Sequence, residues 1–201
     1  MFQIAHQVWN GNNPGQDRAF SARIDSRVVL AVADGAGGRS GGAEAAEMAI
    51  QHIKQCAFML NSQTDCEKLL NQLDQLIAAD KVAGETTAVV CVVKASGIVG
   101  ASSGDSGAWV VGQSSIDELT SNQVRKPFLG SRAAQIVGFE RNHFEGTLLV
   151  ATDGLLKYTS RELIIASVRN PAFDSIADKL ISLVRYQSGA LPDDVSIVLC
   201  R

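Results

Sequence analysis

The sequence predicts a layered α+β domain formed by residues 1–201 as a single unit. Three observations lead there: strand-like runs cluster in the middle of the chain, helical stripes come in pairs, and no Pro/Ser-rich linker divides the sequence. The strict βαβ alternation of a doubly wound parallel sheet is absent. With 201 residues, 46% apolar and only 4 Pro, the chain is long enough to bury a substantial core.

The elements follow in order. Val28 to Ala33 is an unbroken apolar run, the mark of a strand covered on both faces. After a glycine-rich turn, Ala43, Ala46, Ala49, Ile50, Ile53, Ala57 and Leu60 form a broad stripe that predicts a helix from about Gly42 to Leu60. A second helix carries Leu69, Leu70, Leu73, Leu76 and Ile77, with Asp65 near its start to favour the helix dipole. From Thr86 the period shortens: Thr87 to Val93, Gly97 to Ser102 and Ala108 to Val111 read as three strands of an antiparallel meander. The polar stretch Gln113 to Arg132, which contains Pro127, is expected to run over the surface as a loop. Thr147 to Thr152 is another apolar strand, and Ser160 can cap a helix running through Val168. A last helix starts near Asp174 and ends before Gly189, and Val195 to Leu199 closes the chain as a strand.

Composition narrows the function. The net charge of −3, with no basic block, argues against nucleic acid as a partner. No apolar run approaches the roughly 20 residues of a membrane span, and Met1 to Asn10 has no secretory-signal pattern. Cys56, Cys66, Cys91 and Cys200 are unevenly spaced and lack a partner His, so reduced thiols in a cytoplasmic protein are expected rather than a zinc site or a disulfide framework. His6, His52 and His143 lie far apart and read as ordinary polar groups.

The acidic residues are more informative, because 13 of the 21 are Asp and several end apolar runs beside Gly. Val-Val-Leu-Ala-Val-Ala-Asp34-Gly35 and Leu-Leu-Val-Ala-Thr-Asp153-Gly154 share one plan, a buried strand that delivers a carboxylate to a sharp turn. Asp105 sits between two predicted strands, and Asp193-Asp194 precedes the final one. Turn formation alone accounts for any single one of these. Together, strand pairing would gather Asp34, Asp153 and Asp193, and clustered carboxylates need protons or cations to neutralise them. Oxygen donors without His or Cys select hard ions, Mg²⁺ or Mn²⁺.

In these residues the sequence resembles the metal-dependent protein phosphatases of the protein phosphatase 2C type, in their compact bacterial form. Gly15-Gln16-Asp17-Arg18 is similar to the family's first acidic motif, and Val32-Ala33-Asp34-Gly35-Ala36-Gly37-Gly38 to its metal-binding turn. Gly84-Glu85-Thr86-Thr87-Ala88, Ala101-Ser102-Ser103-Gly104-Asp105-Ser106, Ala151-Thr152-Asp153-Gly154-Leu155 and Asp193-Asp194-Val195-Ser196 continue the match in the family's order. The resemblance implies a four-layer α-β-β-α sandwich of two antiparallel sheets flanked by helix pairs. It also implies hydrolysis of phosphoserine and phosphothreonine in proteins by a hydroxide bridging two Mn²⁺ or Mg²⁺ ions, with phosphoprotein substrates and a serine/threonine kinase as the opposing enzyme. On that pattern Asp34, the Gly35 carbonyl, Asp153 and Asp193 hold the metals and act through metal-bound water. Asp105 is the candidate for a third ion, and Asp17 and Asp194 stand behind the ligands.

Three departures qualify the match. Where many members have a phosphate-binding Arg, five residues before Asp17, this chain has Asn12, which leaves Arg18, Arg39 and Arg132 as candidate substitutes. A His found after the first Asp-Gly in some members is Ala36 here. Only 48 positions separate Asp105 from Asp153, so the flap that relatives insert there is expected to be short or absent and the site more open. Two competing readings are a nucleotide-binding loop at Gly35 to Ser40, which lacks the required Gly-Lys-Ser/Thr, and a weakly active or inactive phosphatase-fold module that binds and regulates a phosphoprotein.

Overall fold

The computed structural model describes residues 2–11, 15–36 and 40–201. Strands β1 (Ile4–Trp9), β2 (Asp17–Ile24) and β3 (Arg27–Asp34) lead into helices α1 (Gly42–Cys56) and α2 (Gln63–Ala79). Then come β4 (Ala88–Lys94), β5 (Gly97–Ser103), β6 (Gly107–Val111), β7 (Ile116–Glu118), β8 (Val137–Asn142) and β9 (Thr147–Ala151). The chain ends with the one-turn helix α3 (Asp153–Leu156), helices α4 (Arg161–Val168) and α5 (Ile176–Val184), and strand β10 (Val195–Cys200).

The strands form two five-stranded antiparallel sheets, ordered β1-β10-β9-β6-β7 and β2-β3-β4-β5-β8. The unbroken apolar run of β3 has a simple cause. Val28, Leu30 and Val32 point between the sheets, where they meet Val89, Cys91, Ala108, Val110, Val150 and Val198. Val29, Ala31 and Ala33 point outward and are covered by Ala45, Ala46, Ala49 and Ile53 of α1 and by Leu70 and Leu73 of α2. On the other side Leu149, Ala151, Ile197 and Leu199 pack beneath α4 and α5. Both faces of the central strands therefore have an apolar cover, giving the four layers helix, sheet, sheet, helix.

Local signals set the helix boundaries. Ser62 and Asp65 close a capping box at the start of α2: the Asp65 amide donates to the Ser62 hydroxyl at 3.2 Å and the Ser62 amide to the Asp65 carboxylate at 2.8 Å. Ser160 caps α4 by accepting from the Leu163 amide. The predicted first helix is shorter than expected, since a 3₁₀ turn at Ala57–Met59 ends it, and another at Phe173–Ser175 opens the last.

Two expectations are corrected. The three middle strands are not one meander: β4 and β5 pair, but the turn at Gly104 to Ser106 carries β6 into the opposite sheet, where it lies between β9 and β7. Gln113 to Arg132 is not simply a surface loop either. It contains β7 and buries Leu119, Thr120, Phe128 and Leu129. Residues 119–136, between β7 and β8, form no helix, in keeping with the expectation that the flap is short or absent.

Candidate active site

The sheet registers bring the separate acidic turns to one end of the sandwich. β3 ends at Asp34, directly opposite Asp17 at the start of β2. β9 ends beside Asp153, and its partner β10 begins just after Asp194. Asp105 arrives on the turn between β5 and β6. Asp34, Asp105, Asp153, Asp193 and Asp194 line one cavity of about 440 Å³, with Gln16, Gly35, Ala36, Glu85 and Thr87 completing its acidic and backbone walls.

Hydrogen bonds fix this frame. Thr86 Oγ1 and the Thr87 amide both donate to the Asp34 carbonyl, at 2.9 and 2.8 Å, while the Asp34 amide donates to Thr87 Oγ1 at 3.2 Å. This is the physical work of the Thr-Thr pair. Gly35 is required by space, because a Cβ there would lie 2.2 Å from the Gly42 carbonyl oxygen. Thr152 Oγ1 donates to Asp17 Oδ2 at 2.6 Å and accepts from the Ser196 amide at 2.9 Å, tying the two sheets together behind the cavity. Asp194 accepts from the amides of Gly11 and Gln16, at 2.7 and 2.5 Å.

Electrostatics mark the centre of the cluster. Burial, then the charges of Asp17, Asp153 and Asp193, push the Asp34 carboxyl up to about 10. Asp17 is raised to about 7, mainly by burial, with the Thr152 hydrogen bond opposing and the charge of Asp194 adding to the rise. Asp153 is also raised, by burial and then by Asp105 and Asp193. All three carboxyls are shifted the same way, so each holds a proton more tightly than an ordinary carboxyl does.

Two of the three candidate phosphate-binding arginines lie outside the cavity lining. Arg18 donates from Nε to Glu47 at 2.6 Å and from Nη1 to the Gly15 and Asp17 carbonyls, and it does not line the cavity. Arg132 reaches toward the Ala78 carbonyl on the α2 side, also outside the cavity lining. Arg39 and Asn12 lie outside the described residues. The cations that do line the cavity are Arg125, Lys126 and Lys157. Arg125 Nε donates to Asp105 Oδ2 at 2.5 Å, so the candidate for a third ion already holds a guanidinium. One signal could have found this group, since Arg125-Lys126 is the sequence's only adjacent pair of basic residues.

A family model described as Protein phosphatase 2C matches residues 8–192. The chain belongs to the protein phosphatase 2C family. It is by that membership a protein serine/threonine phosphatase. Among solved structures, it is similar to a variant of a bacterial serine phosphatase with a TM-score of 0.83 at 18% identity, covering 100% of this chain and 97% of that one. The catalytic domain of the serine/threonine protein phosphatase PstP, in complex with two manganese ions, matches with a TM-score of 0.82 at 18% identity over 99% of this chain and 97% of that one. Serine/threonine phosphatase Stp1 from Staphylococcus aureus matches with 0.80 at 19% identity over 99% and 93%. At these identities the likeness concerns the fold. No curated protein matches the chain in sequence.

The donor set of this protein phosphatase 2C chain suits a hard divalent ion. Every acid in the cluster offers oxygen only, and Asp17 Oδ1 is buried without a hydrogen-bond partner among the described residues. Among the described residues, no three acidic, His or Cys side chains already enclose an ion position.

Proposed function

We propose that the chain hydrolyses phosphoserine and phosphothreonine in proteins with two Mn²⁺ or Mg²⁺ ions as cofactors, opposing a serine/threonine kinase. The observation that carries this reading is the crowding of Asp17, Asp153 and Asp193 around Asp34, which adds to the effect of burial in pushing the Asp34 carboxyl up to about 10. Uncompensated carboxylates of this density are costly to keep unless they bind something positive.

Asp34, Asp153, Asp193 and the Gly35 carbonyl are the residues that would hold the ions. Such a pair, when bound, supplies an activated water and neutralises phosphoryl oxygens. The chain supplies the rest. Thr86 and Thr87 fix the Asp34 main chain, Thr152 orients Asp17 from behind, and Asp194 holds the amides of Gly11 and Gln16. Ala36 has no side chain to protonate a leaving alkoxide, so that proton would come from solvent in the open cavity. No described Cys or Ser paired with a His stands in the cavity lining, and the proposed route needs no covalent intermediate.

The test is hydrolysis of a phosphothreonine peptide and of an aryl phosphate with Mn²⁺ added or chelated, alongside calorimetric titration of Mn²⁺. Metal-dependent turnover of both is expected. Binding of the phosphopeptide with no turnover and no metal uptake would instead assign the chain as a phosphoprotein-binding module.

A further inference from the structure

We propose that Arg125 is the phosphate-binding side chain of this site, held by Asp105 with its guanidinium facing the cavity. The proposal rests on the phosphatase reading above. A phosphate monoester approaches neutral pH with nearly two negative charges, while the cavity presents the acids Asp34, Glu85, Asp105, Asp153, Asp193 and Asp194. Protein cations must therefore help to receive it.

Of the three cations in the lining, two are engaged with aromatic rings. Lys126 Nζ lies 5.3 Å from the centre of the Phe128 ring, and Lys157 Nζ lies 5.3 Å from that of Tyr158. Arg125 spends only Nε, on Asp105 Oδ2, and among the described residues its two Nη groups donate to no protein acceptor. A guanidinium fixed at Nε leaves a planar pair of donors, the geometry that matches two phosphate oxygens. The ion pair itself is a poor stabiliser, because the Arg125 side chain is 67% exposed. Its consequence is orientation.

The backbone around Arg125 is anchored on both sides to the catalytic frame. Two residues before it, Gln123 Nε2 donates to the Ser106 carbonyl at 2.8 Å, next to Asp105. Four residues after it, Leu129 exchanges two backbone hydrogen bonds of 3.0 Å with Thr86, which in turn bridges to Gly35 and donates to the Asp34 carbonyl. The segment that replaces a flap thus carries its arginine on a short span between the two turns that bear Asp105 and Asp34. A solvated surface arginine would need neither anchor.

Inorganic phosphate titrated into the Mn²⁺-loaded protein tests this, with Mn²⁺ affinity measured separately on the metal-free protein. Arg125→Ala should weaken phosphate binding by about 10- to 100-fold, the equivalent of one or two hydrogen bonds to a charged group. Its Mn²⁺ affinity should equal or exceed that of the wild type, because a cation has been removed from beside the carboxylates. Arg125→Lys should fall between the two, keeping charge without the fork. Unchanged phosphate affinity in Arg125→Ala overturns the clamp and leaves the phosphatase reading standing. Loss of Mn²⁺ and phosphate affinity together gives Arg125 a structural role and also overturns the clamp. A wild type that takes up no Mn²⁺ overturns both readings.

Discussion

Asp17 and Asp34 stand directly opposite one another across β2 and β3, two carboxylates placed as cross-strand partners at the end of the same sheet. Like charges in that position oppose strand pairing. The chain tolerates them because Thr152 hydrogen-bonds one oxygen of Asp17 and because burial and the neighbouring charges push the Asp34 carboxyl up, toward its neutral form. Stability of the metal-free fold and capacity for a divalent ion are therefore opposed at this pair.

Asp34→Asn should separate those two properties. The amide preserves the shape of the side chain while removing the carboxyl whose ionisation is opposed by burial and by the charges of Asp17, Asp153 and Asp193. Without metal the variant should melt higher than the wild type, by about 2–4 °C for each kcal/mol of relieved repulsion in a chain of this size. Hydrolysis with Mn²⁺ should drop by at least about a hundredfold, since a presumed ligand is lost and even outer partners of a metal site are worth that much. Thermal melts in chelator, paired with the phosphopeptide assay, check both halves. An active variant would end the assignment of Asp34 to the metals.

The same shifts predict how stability follows pH. In the unfolded chain these carboxyls titrate near their ordinary value of 3.8, whereas in the fold Asp17 rises to about 7 and Asp34 to about 10. Between the two values the folded state binds more protons, so the stability these groups contribute is full below the unfolded value and declines as pH rises. The decline from Asp17 is complete near 7 and that from Asp34 continues toward 10. Metal-free melting temperatures should fall between about pH 6 and about pH 8, and the gain on adding Mn²⁺ should be larger at the higher pH, where fewer protons compete. A flat or rising chelator profile would contradict the coupling.

Much of this was readable in the sequence, for reasons that differ from residue to residue. The strand at Val28 to Ala33 is visible because both of its faces have apolar cover. β1 and β2 stand at sheet edges, where His6, Gln7, Arg18 and Ser21 face partial solvent and blur any alternation. The sheet change after Asp105 was hidden because a sharp turn, with Gly104 at φ of 101°, looks alike in a hairpin and in a crossing. Asp34, Asp105, Asp153 and Asp193 are legible because each stands beside a Gly or at a strand end. Their partners are not. Thr152 lies 135 positions from Asp17, and the Arg125 contact with Asp105 spans 20, so only the fold brings them together.

Asp74 on α2 is expected to hold the segment that carries Arg125. It is 4% exposed and accepts from the amides of Gly130 and Arg132 at 2.8 and 3.0 Å, and from that of Ala134 at 3.4 Å. Asp74→Ala leaves all three donors without this acceptor and should cost about 2–3 kcal/mol in a urea melt. Asp74→Asn should cost less, because its carbonyl oxygen can still serve Gly130 and Arg132. In both variants KM for the phosphopeptide should rise more than kcat falls, as expected for a loosened wall rather than a damaged metal cluster. Wild-type stability in Asp74→Ala would show that the segment is fixed by other contacts.

Gly154 tests the geometry between the acidic turns at the ends of β9 and β10, neighbours in one sheet. A Cβ at this position would lie 1.8 Å from the Asp194 carbonyl oxygen and 3.2 Å from Val195 Cγ2. The obstacle is backbone, so Gly154→Ala must displace either Asp153 or the Asp193-Asp194 turn, and both belong to the proposed metal-holding set. The expected result is a folded protein destabilised by about 1–3 kcal/mol whose Mn²⁺ affinity is sharply reduced. Gly189→Ala provides the control. Nothing lies within 4 Å of its Cβ, but its φ of 87° is unfavourable for a side chain, and the residue does not line the cavity. It should cost about 1–2 kcal/mol in stability and leave Mn²⁺ affinity unchanged. Equal Mn²⁺ affinity in the two variants would mean that close contact between Gly154 and Asp194 is not what positions the acids.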